Sequence, residues 1–287
     1  MLVRASKCSA DVRQDTAIFA FGNEKFRNET LPLCKNPIEA GEALASSDSW
    51  FVLLNGQPIA VFKLHLYGST ARISQMCTKK DSPAIVAATL RRELRDMKIT
   101  NISLRVAADE VEGYAVNGFA RGETYLRFSR IPSESNMMPI LPLTNPTQKE
   151  LPILSQLMHA SYAKTEHGFS DARFAEELLR AIMSGARGQY LSNASFASGV
   201  RPNIVSACLL TLDSSGEATI EQVFTHPLYR ARGLATAEIA ASMNRLAASG
   251  VSSLIAWNRE RNDVVRRLLT KMEFRQDRTV TEMMGQT

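Results

Sequence analysis

Four cysteines, Cys8, Cys34, Cys77 and Cys208, are scattered over 287 residues with no C-x-x-C pair. Zinc sites draw their thiolates from close spacings, so no metal site is expected. Free thiols of a cytoplasmic protein are the default reading. No apolar run reaches the roughly 20 residues that span a bilayer, and the opening MLVRASKCSADVRQD turns polar too soon for a secretory signal. Charge of one sign is never concentrated. The 34 basic and 29 acidic residues leave a formal net charge of +5, but the basic ones fall in short pairs such as Lys79-Lys80, Arg91-Arg92 and Arg266-Arg267. Such pairs read as solvated helix faces. Neither nucleic acid nor a membrane is therefore expected as a partner. The mild basic excess does suit a small polyanion. Oligomeric state is not readable.

What is present is ordinary globular composition, 45% hydrophobic and 22% charged, enough for two domains of usual size. Pro132, Pro139, Pro142 and Pro146 crowd the stretch RIPSESNMMPILPLTNP, which excludes a helix interior and marks a seam. The expected domains are 1–136 and 137–287. They share a short repeat: GSTARISQMCT in the first half and SGEATIEQVFT in the second. Ile73 and Ile220, and likewise Thr78 and Thr225, stand 147 positions apart.

Element order supports the repeat. In the second half, Leu151, Leu154 and Met158 recur at helical spacing, as do Phe174, Leu178 and Ile182. QYLSN and NIVSACLLTL read as strands around a Gly/Arg/Pro turn, with ATIEQVFT following after a Ser-Gly turn. A helix then carries Ala235, Ile239, Met243 and Leu246 inward and stops at Gly250. SSLIAW is a short strand. A last helix turns Val264, Val265, Leu268, Leu269 and Met272 inward, and Arg278 to Met283 closes the sheet. The first half runs likewise: SWFVLL and IAVFKLHL flank an Asn55-Gly56 hairpin turn, then come ARISQMCT, a helix with Leu90, Leu94 and Met97, the strand NISLRV, a short helix and the strand ETYLRF. Two α+β units follow, each a mixed, largely antiparallel sheet flanked by helices.

The segment richest in chemistry is VFTHPLYRARGLATAEIA. A strand ends, a proline turn follows, and a helix begins at a glycine. A helix N-terminus leaves about four backbone N–H groups unpaired at the positive end of the dipole, a ready phosphate site. Gly233 lets backbone approach an anion without a Cβ, Ala235 keeps the next turn small, and Arg230 and Arg232 add charge-assisted donors.

This loop resembles the pyrophosphate signature Q/R-x-x-G-x-G/A of the GNAT acetyltransferase superfamily. The wider likeness runs I-E-x-V-x-T-x-P-x-Y-R-x-x-G-L-A from Ile220 to Ala235. The resemblance implies an N-acetyltransferase that moves an acetyl group from acetyl-CoA, as co-substrate, to a small-molecule or protein amine by direct attack. The alternative is a non-catalytic acyl-CoA-binding or sensing protein. It further implies that the strand of Val223, Phe224 and Thr225 splays from SSLIAW, that backbone there pairs with pantetheine, and that the amides of Ala231, Arg232, Gly233, Leu234, Ala235 and Thr236 hold the pyrophosphate.

Glu221 is the expected base. Period-two geometry puts it on one strand face with Thr219, Val223 and Thr225, and glutamates on this strand often activate the amine in the resembling family. The other reading is a glutamate fixed in a surface network. Asn262 stands where the family places a cofactor-contacting asparagine, with Asn258 a near alternative; N-capping explains either equally well. His226 reads as a turn residue. The family's acid, a tyrosine four residues before Gly-Phe, is replaced by Leu269 before Glu273-Phe274. In the first half Tyr114 precedes Gly118-Phe119 correctly, but the loop KKDSPAIVAA lacks the glycine, and Ser74 stands where Glu221 does. The first half is expected to be a degenerate copy.

Overall fold

The computed structural model of the protein describes residues 18–21, 49–55, 57–163, 165, 172–213 and 216–287. Cys8, Cys34, Gly56 of the expected hairpin turn and Ser214 and Ser215 of the Ser-Gly turn lie outside them. The chain groups into two units, Met1–Tyr125 with Arg278–Thr287, and Leu126–Asp277. Each is α+β with a mostly antiparallel sheet, the class read from the sequence. Among the described residues no helix is long and apolar enough to cross a membrane. Nor does any group of three His, Cys, Asp or Glu residues there assemble to hold a metal.

The first unit contains β1 (Ile18–Phe21), β2 (Ser49–Leu54), β3 (Gln57–Tyr67), β4 (Thr70–Thr78), α1 (Pro83–Asp96), β5 (Asn101–Ala107) and α2 (Val111–Ala115). Strand β6 (Ala120–Arg130) leads out of it and β13 (Arg275–Gln286) leads back. Its sheet runs β1-β2-β3-β4-β5-β13, antiparallel except for β4 beside β5. Val86, Leu90 and Leu94 of α1 bury against Phe62, Ile73 and Leu104. Their i, i+4, i+8 spacing is what makes α1 amphipathic.

The second unit holds β7 (Leu143–Thr144), α3 (Leu151–Tyr162), α4 (Ala172–Met183), β8 (Gln189–Tyr190), β9 (Phe196–Val200), β10 (Asn203–Leu212), β11 (Glu217–Thr225), α5 (Leu234–Ala248), β12 (Ser253–Arg259) and α6 (Asp263–Lys271). Its strands run β12-β11-β10-β9-β7, with β8 on β10 and only β11 and β12 parallel. The sheet has two apolar faces. One packs Cys208, Leu210, Ala218 and Ile220 on Ile239 and Met243 of α5; the other packs Ala207, Leu209 and Phe224 on Leu154, Leu179 and Ile182 of α3 and α4. Cys77 and Cys208 are buried and form no disulfide, and burial pushes the Cys208 thiol well up.

The repeat is visible in backbone terms. Strands β4 and β11 begin and end at residues 147 apart, and each pairs in parallel with the next strand only as far as Ile73↔Leu104 or Ile220↔Ala256.

Several sequence expectations need correction. The terminal strand pairs antiparallel with β5 in the first unit rather than closing the second sheet, Val280↔Ala107 to Gln286↔Asn101. QYLSN supplies only two strand residues; the hairpin partner of β10 across the Gly/Arg/Pro turn is β9, FASGV. Its small residues carry little alternation, and Gly199 lies so close to Asn203 O that a Cβ there would sit 2.3 Å from it. Phe174 is exposed, because Ala175, Leu179 and Ile182 form the buried stripe of α4. Val264 is also exposed, one helical phase away from Leu269 and Met272.

Candidate functional site

The site is built at the end of the parallel ladder between β11 and β12. Its closed end is pinned: buried Arg127 donates to both oxygens of Glu217 at 2.5 and 2.6 Å and to Asp277 at 2.5 Å, while Ser253 Oγ donates to Glu217 Oε1 at 3.0 Å. Ladder pairing then runs only from Glu217↔Ser253 to Ile220↔Ala256. Past Ile220 the strands separate, so β11 residues Glu221 to Thr225 make no ladder bonds toward β12. The resemblance implied this splay, and it leaves unpaired backbone groups facing a gap.

The cause of the splay is a bulge. Leu209 pairs with Gln222 and Leu210 with Ile220, leaving Glu221 as the extra residue. A bulge bends its strand and sharpens its twist. It also breaks the period-two parity. Val223 packs with the α5 face and Phe224 with the α3/α4 face. Glu221 instead keeps to the side of Thr219, because Thr211, the cross-strand partner of Thr219, donates Oγ1 to Glu221 Oε1 at 3.0 Å. Glu221 therefore shares its face with Thr219 but not with Val223 or Thr225, contrary to the alternation argument. Its other oxygen, Oε2, accepts from Arg187 Nε at 2.8 Å. Beside it, Tyr162 at the end of α3 donates to Gln222 Oε1 at 3.2 Å. Desolvation raises the Tyr162 hydroxyl to about 12, against the opposing charges of Arg259 and Arg230.

On the opposite face Thr225 Oγ1 lies 2.8 Å from Ser206 Oγ, which lies 3.0 Å from Glu238 Oε2; Ser198 Oγ donates to Glu238 Oε1 at 2.6 Å. Glu238 belongs to α5 and is fully buried. No cation pairs with it among the described residues. Desolvation pushes its carboxyl to about 8, only partly offset by the serine hydroxyls, so a proton is retained near neutrality.

Between β11 and α5 runs the arginine-glycine loop. His226 Nδ1 accepts from Leu228 N at 3.3 Å and its ring meets Tyr229 edge-on, a turn role as expected. Arg230 donates to the Ser161 carbonyl at the end of α3, and Arg232 stacks over Tyr229 with 5.2 Å from Cζ to the ring centroid. Ala231 and Gly233 both adopt left-handed backbone, φ 58° and 79°. This turns successive peptide N–H groups the same way into a concave nest. The first amide of the region with a partner is Ala237 N, which donates to Gly233 O at 2.9 Å. Among the described residues nothing accepts from the amides of Ala231, Arg232, Gly233, Leu234, Ala235 or Thr236, and Gly233 receives no side-chain cap. A Cβ on Gly233 would meet only Ile140 Cδ1, at 3.5 Å. Among the described residues no other atom lies within 4 Å of that position. An array of unpaired donors at a helix start fits a pyrophosphate.

Asn262 caps α6, its side-chain oxygen accepting from Val265 N at 3.3 Å, and Asn258 Nδ2 donates to the Asn262 carbonyl at 3.0 Å. Phe224 is a core side chain, so only its backbone can face a ligand. Leu269 is buried in the α5-side core beside Phe274. Arg187 and the Glu238–Ser206–Thr225 chain were not found from sequence. Glu238 left a signal: it sits midway between Leu234 and Ser242 on the buried stripe of α5. Arg187 left none.

Residues 157–274 match the model of the Acetyltransferase (GNAT) family. Among solved structures the chain is similar to a GCN5-related N-acetyltransferase from Sphaerobacter thermophilus, with 11% identity and a TM-score of 0.68 over 94% of this chain and 95% of that one. It is also similar to a tandem GNAT protein from the clavulanic acid biosynthesis pathway, at 14% identity and TM-score 0.58 over 94% and 98%. A third is a putative acetyltransferase from Pyrococcus horikoshii, at 13% identity and TM-score 0.51 over 99% and 94%. At these identities the likeness is one of fold. No curated protein matches the chain.

Proposed function

We propose that the protein is an acetyl-CoA-dependent N-acetyltransferase whose working site lies in residues 137–287, joined to a degenerate copy of the same fold in residues 1–136. The observation that carries this reading is the nest of six amides from Ala231 to Thr236, without a partner among the described residues, beside a strand that has left its neighbour at Ile220. Those amides, with Arg230 and Arg232, would hold the pyrophosphate. Backbone of Val223, Phe224 and Thr225 would pair with pantetheine, and Asn262 would border the same gap from the start of α6. The acceptor nitrogen attacks the thioester carbonyl, a C–N bond forms, the C–S bond breaks, and CoA leaves as thiolate.

An attacking amine must be neutral, so its proton needs an acceptor. Glu221 is the carboxylate at the bulge, and each of its oxygens holds one hydrogen bond in Arg187 and Thr211 while keeping a second lone pair. Glu221→Gln is expected to lower the rate about 10²–10⁴-fold with acetyl-CoA affinity unchanged, the deficit shrinking as pH rises and the free amine accumulates. A glutamine variant with the wild-type pH–rate profile excludes Glu221 as the base. The buried Leu269 supplies no acid, which favours a non-catalytic acyl-CoA sensor as the second reading. Acetyl-CoA binding without CoA release in the presence of any amine would establish that reading.

The first unit is expected to bind no acetyl-CoA. Helix α1 starts at Pro83, which has no amide proton, and its ring packs so tightly on Gly113 that a Cβ there would come within 2.6 Å. Ser82 N is already spent on Lys79 O at 2.9 Å. Tyr114, which matches the acid position, is buried beside Thr78 Oγ1 at 3.1 Å, and desolvation pushes its hydroxyl far up. Calorimetry on the full chain should give one acetyl-CoA per chain; two equivalents would overturn this assignment.

A further inference from the structure

Arg187 stands in the short connection between α4 and β8, and its surroundings fix it in place. Gly188 lies against β10 so closely that a Cβ would sit 2.9 Å from Leu212 O and 3.3 Å from Thr211 Cβ. The chain then enters the ladder at once through Leu212↔Gln189 and Thr211↔Tyr190. On the helix side Ala186 N donates to Ala181 O at 3.0 Å. The connection is thus pinned at both ends, next to the threonine that also holds Glu221.

Among the described residues the guanidinium is held on one edge only. Its Nε donates to Glu221 Oε2, and its terminal groups, Nη1 and Nη2, have no partner among the described residues. The side chain is 43% exposed whereas that of Glu221 is 9% exposed. An ion pair made through Nε leaves the planar Nη1/Nη2 edge pointing away from Glu221, and that edge matches the two oxygens of a carboxylate. The same glutamate therefore orients Arg187 and stands where a proton must be accepted. A guanidinium edge beside the base repels a second ammonium and attracts a negative group on the acceptor.

Resting on the acetyltransferase reading, we propose that the acceptor is an amine bearing a carboxylate, an amino acid or a peptide-like acid. The Nη edge of Arg187 binds the carboxylate, and Glu221 receives the proton from the amine. Arg187 is then the residue that determines acceptor class.

The test uses the full chain with acetyl-CoA and matched pairs of amines: ω-amino acids, their amides, and diamines of equal length. Wild type should turn over the amino acids with kcat/KM at least tenfold above the amides. Arg187→Gln should remove that difference through KM, and Arg187→Lys, which keeps a charge but not the fork, should restore part of it. Equal use of acids and amides by wild type, or preference for diamines, overturns the proposal while leaving acetyl transfer standing. Should no amine release CoA, the acetyltransferase reading falls, and saturation-transfer NMR with β-alanine and β-alaninamide on the CoA-loaded chain decides the remainder. Binding of β-alanine alone, lost in Arg187→Gln, supports the anion site; no binding overturns it.

Discussion

Gly233→Asp is expected to abolish acetyl-CoA binding at concentrations that saturate the wild-type chain, with the fold intact. Gly233 occupies left-handed backbone at the start of α5, and among the described residues a Cβ there would meet only Ile140 Cδ1, at 3.5 Å. A non-glycine residue there costs about 1–2 kcal/mol of backbone strain. Part of that is offset, because a carboxylate at a helix N-terminus interacts favourably with the dipole. The consequence for a bound anion has the opposite sign. A carboxylate about 4 Å from a phosphate repels it by about 4 kcal/mol per unit charge at an effective dielectric of 20, or about 10³-fold in affinity. Gly233→Asn separates the two effects, since asparagine tolerates the backbone and has the same size without the charge. Calorimetry should show at most about a tenfold loss for Asn and a near-total loss for Asp. Affinity in the Asp variant equal to wild type would mean that the loop does not hold the pyrophosphate.

Stability should fall as pH rises from about 4.5 to about 8, and Glu238→Gln should cancel the fall. The ordinary carboxyl value is 4.5, and in the folded chain desolvation raises Glu238 to about 8. Between those values the unfolded chain has released the proton and the folded chain retains it. The unfolded state then binds fewer protons, so stability is full below 4.5 and decreases through the window. At about 1.4 kcal/mol per unit, the loss from this one group reaches a few kcal/mol by pH 8. Glutamine preserves the partners of the neutral acid: its oxygen can accept from Ser198 and its amide can donate to Ser206, the two serines that contact Glu238. Urea unfolding of both chains from pH 4.5 to 8.5 should give curves that diverge with pH, the glutamine variant being the more stable at the alkaline end. Curves that stay parallel would show that Glu238 is not protonated in the folded state. The same network reaches Thr225 through Ser206, so acetyl-CoA affinity of the wild type is expected to weaken over the alkaline end of this range.

Local signals made much of this protein legible. Helices α3, α5 and α6 and strands β10 and β11 follow from apolar spacing and from the turn residues between them, because hydrogen bonding within a turn or hairpin depends on near neighbours. The arginine-glycine loop was readable for the same reason: the residues that create the unpaired amides are consecutive. So was the repeat, since a constant offset of 147 from Ile73 to Ile220 requires no knowledge of packing. The tertiary structure decided what depends on distant strands. The terminal strand joins β5 because its register is set by residues more than 170 positions earlier, from Ala107 back to Asn101. The bulge at Glu221 exists only against β10, and by inserting one residue it moved Val223 and Thr225 to the other face of the sheet. No side-chain pattern announces such an event, because it is a choice of backbone pairing. Arg187 likewise meets Glu221 only because Gly188 presses onto Leu212. The order of residues 230–236 was sufficient to indicate a run of unpaired amides at a helix start; the pairing of Arg187 with Glu221 depends on three segments that touch only in the folded chain.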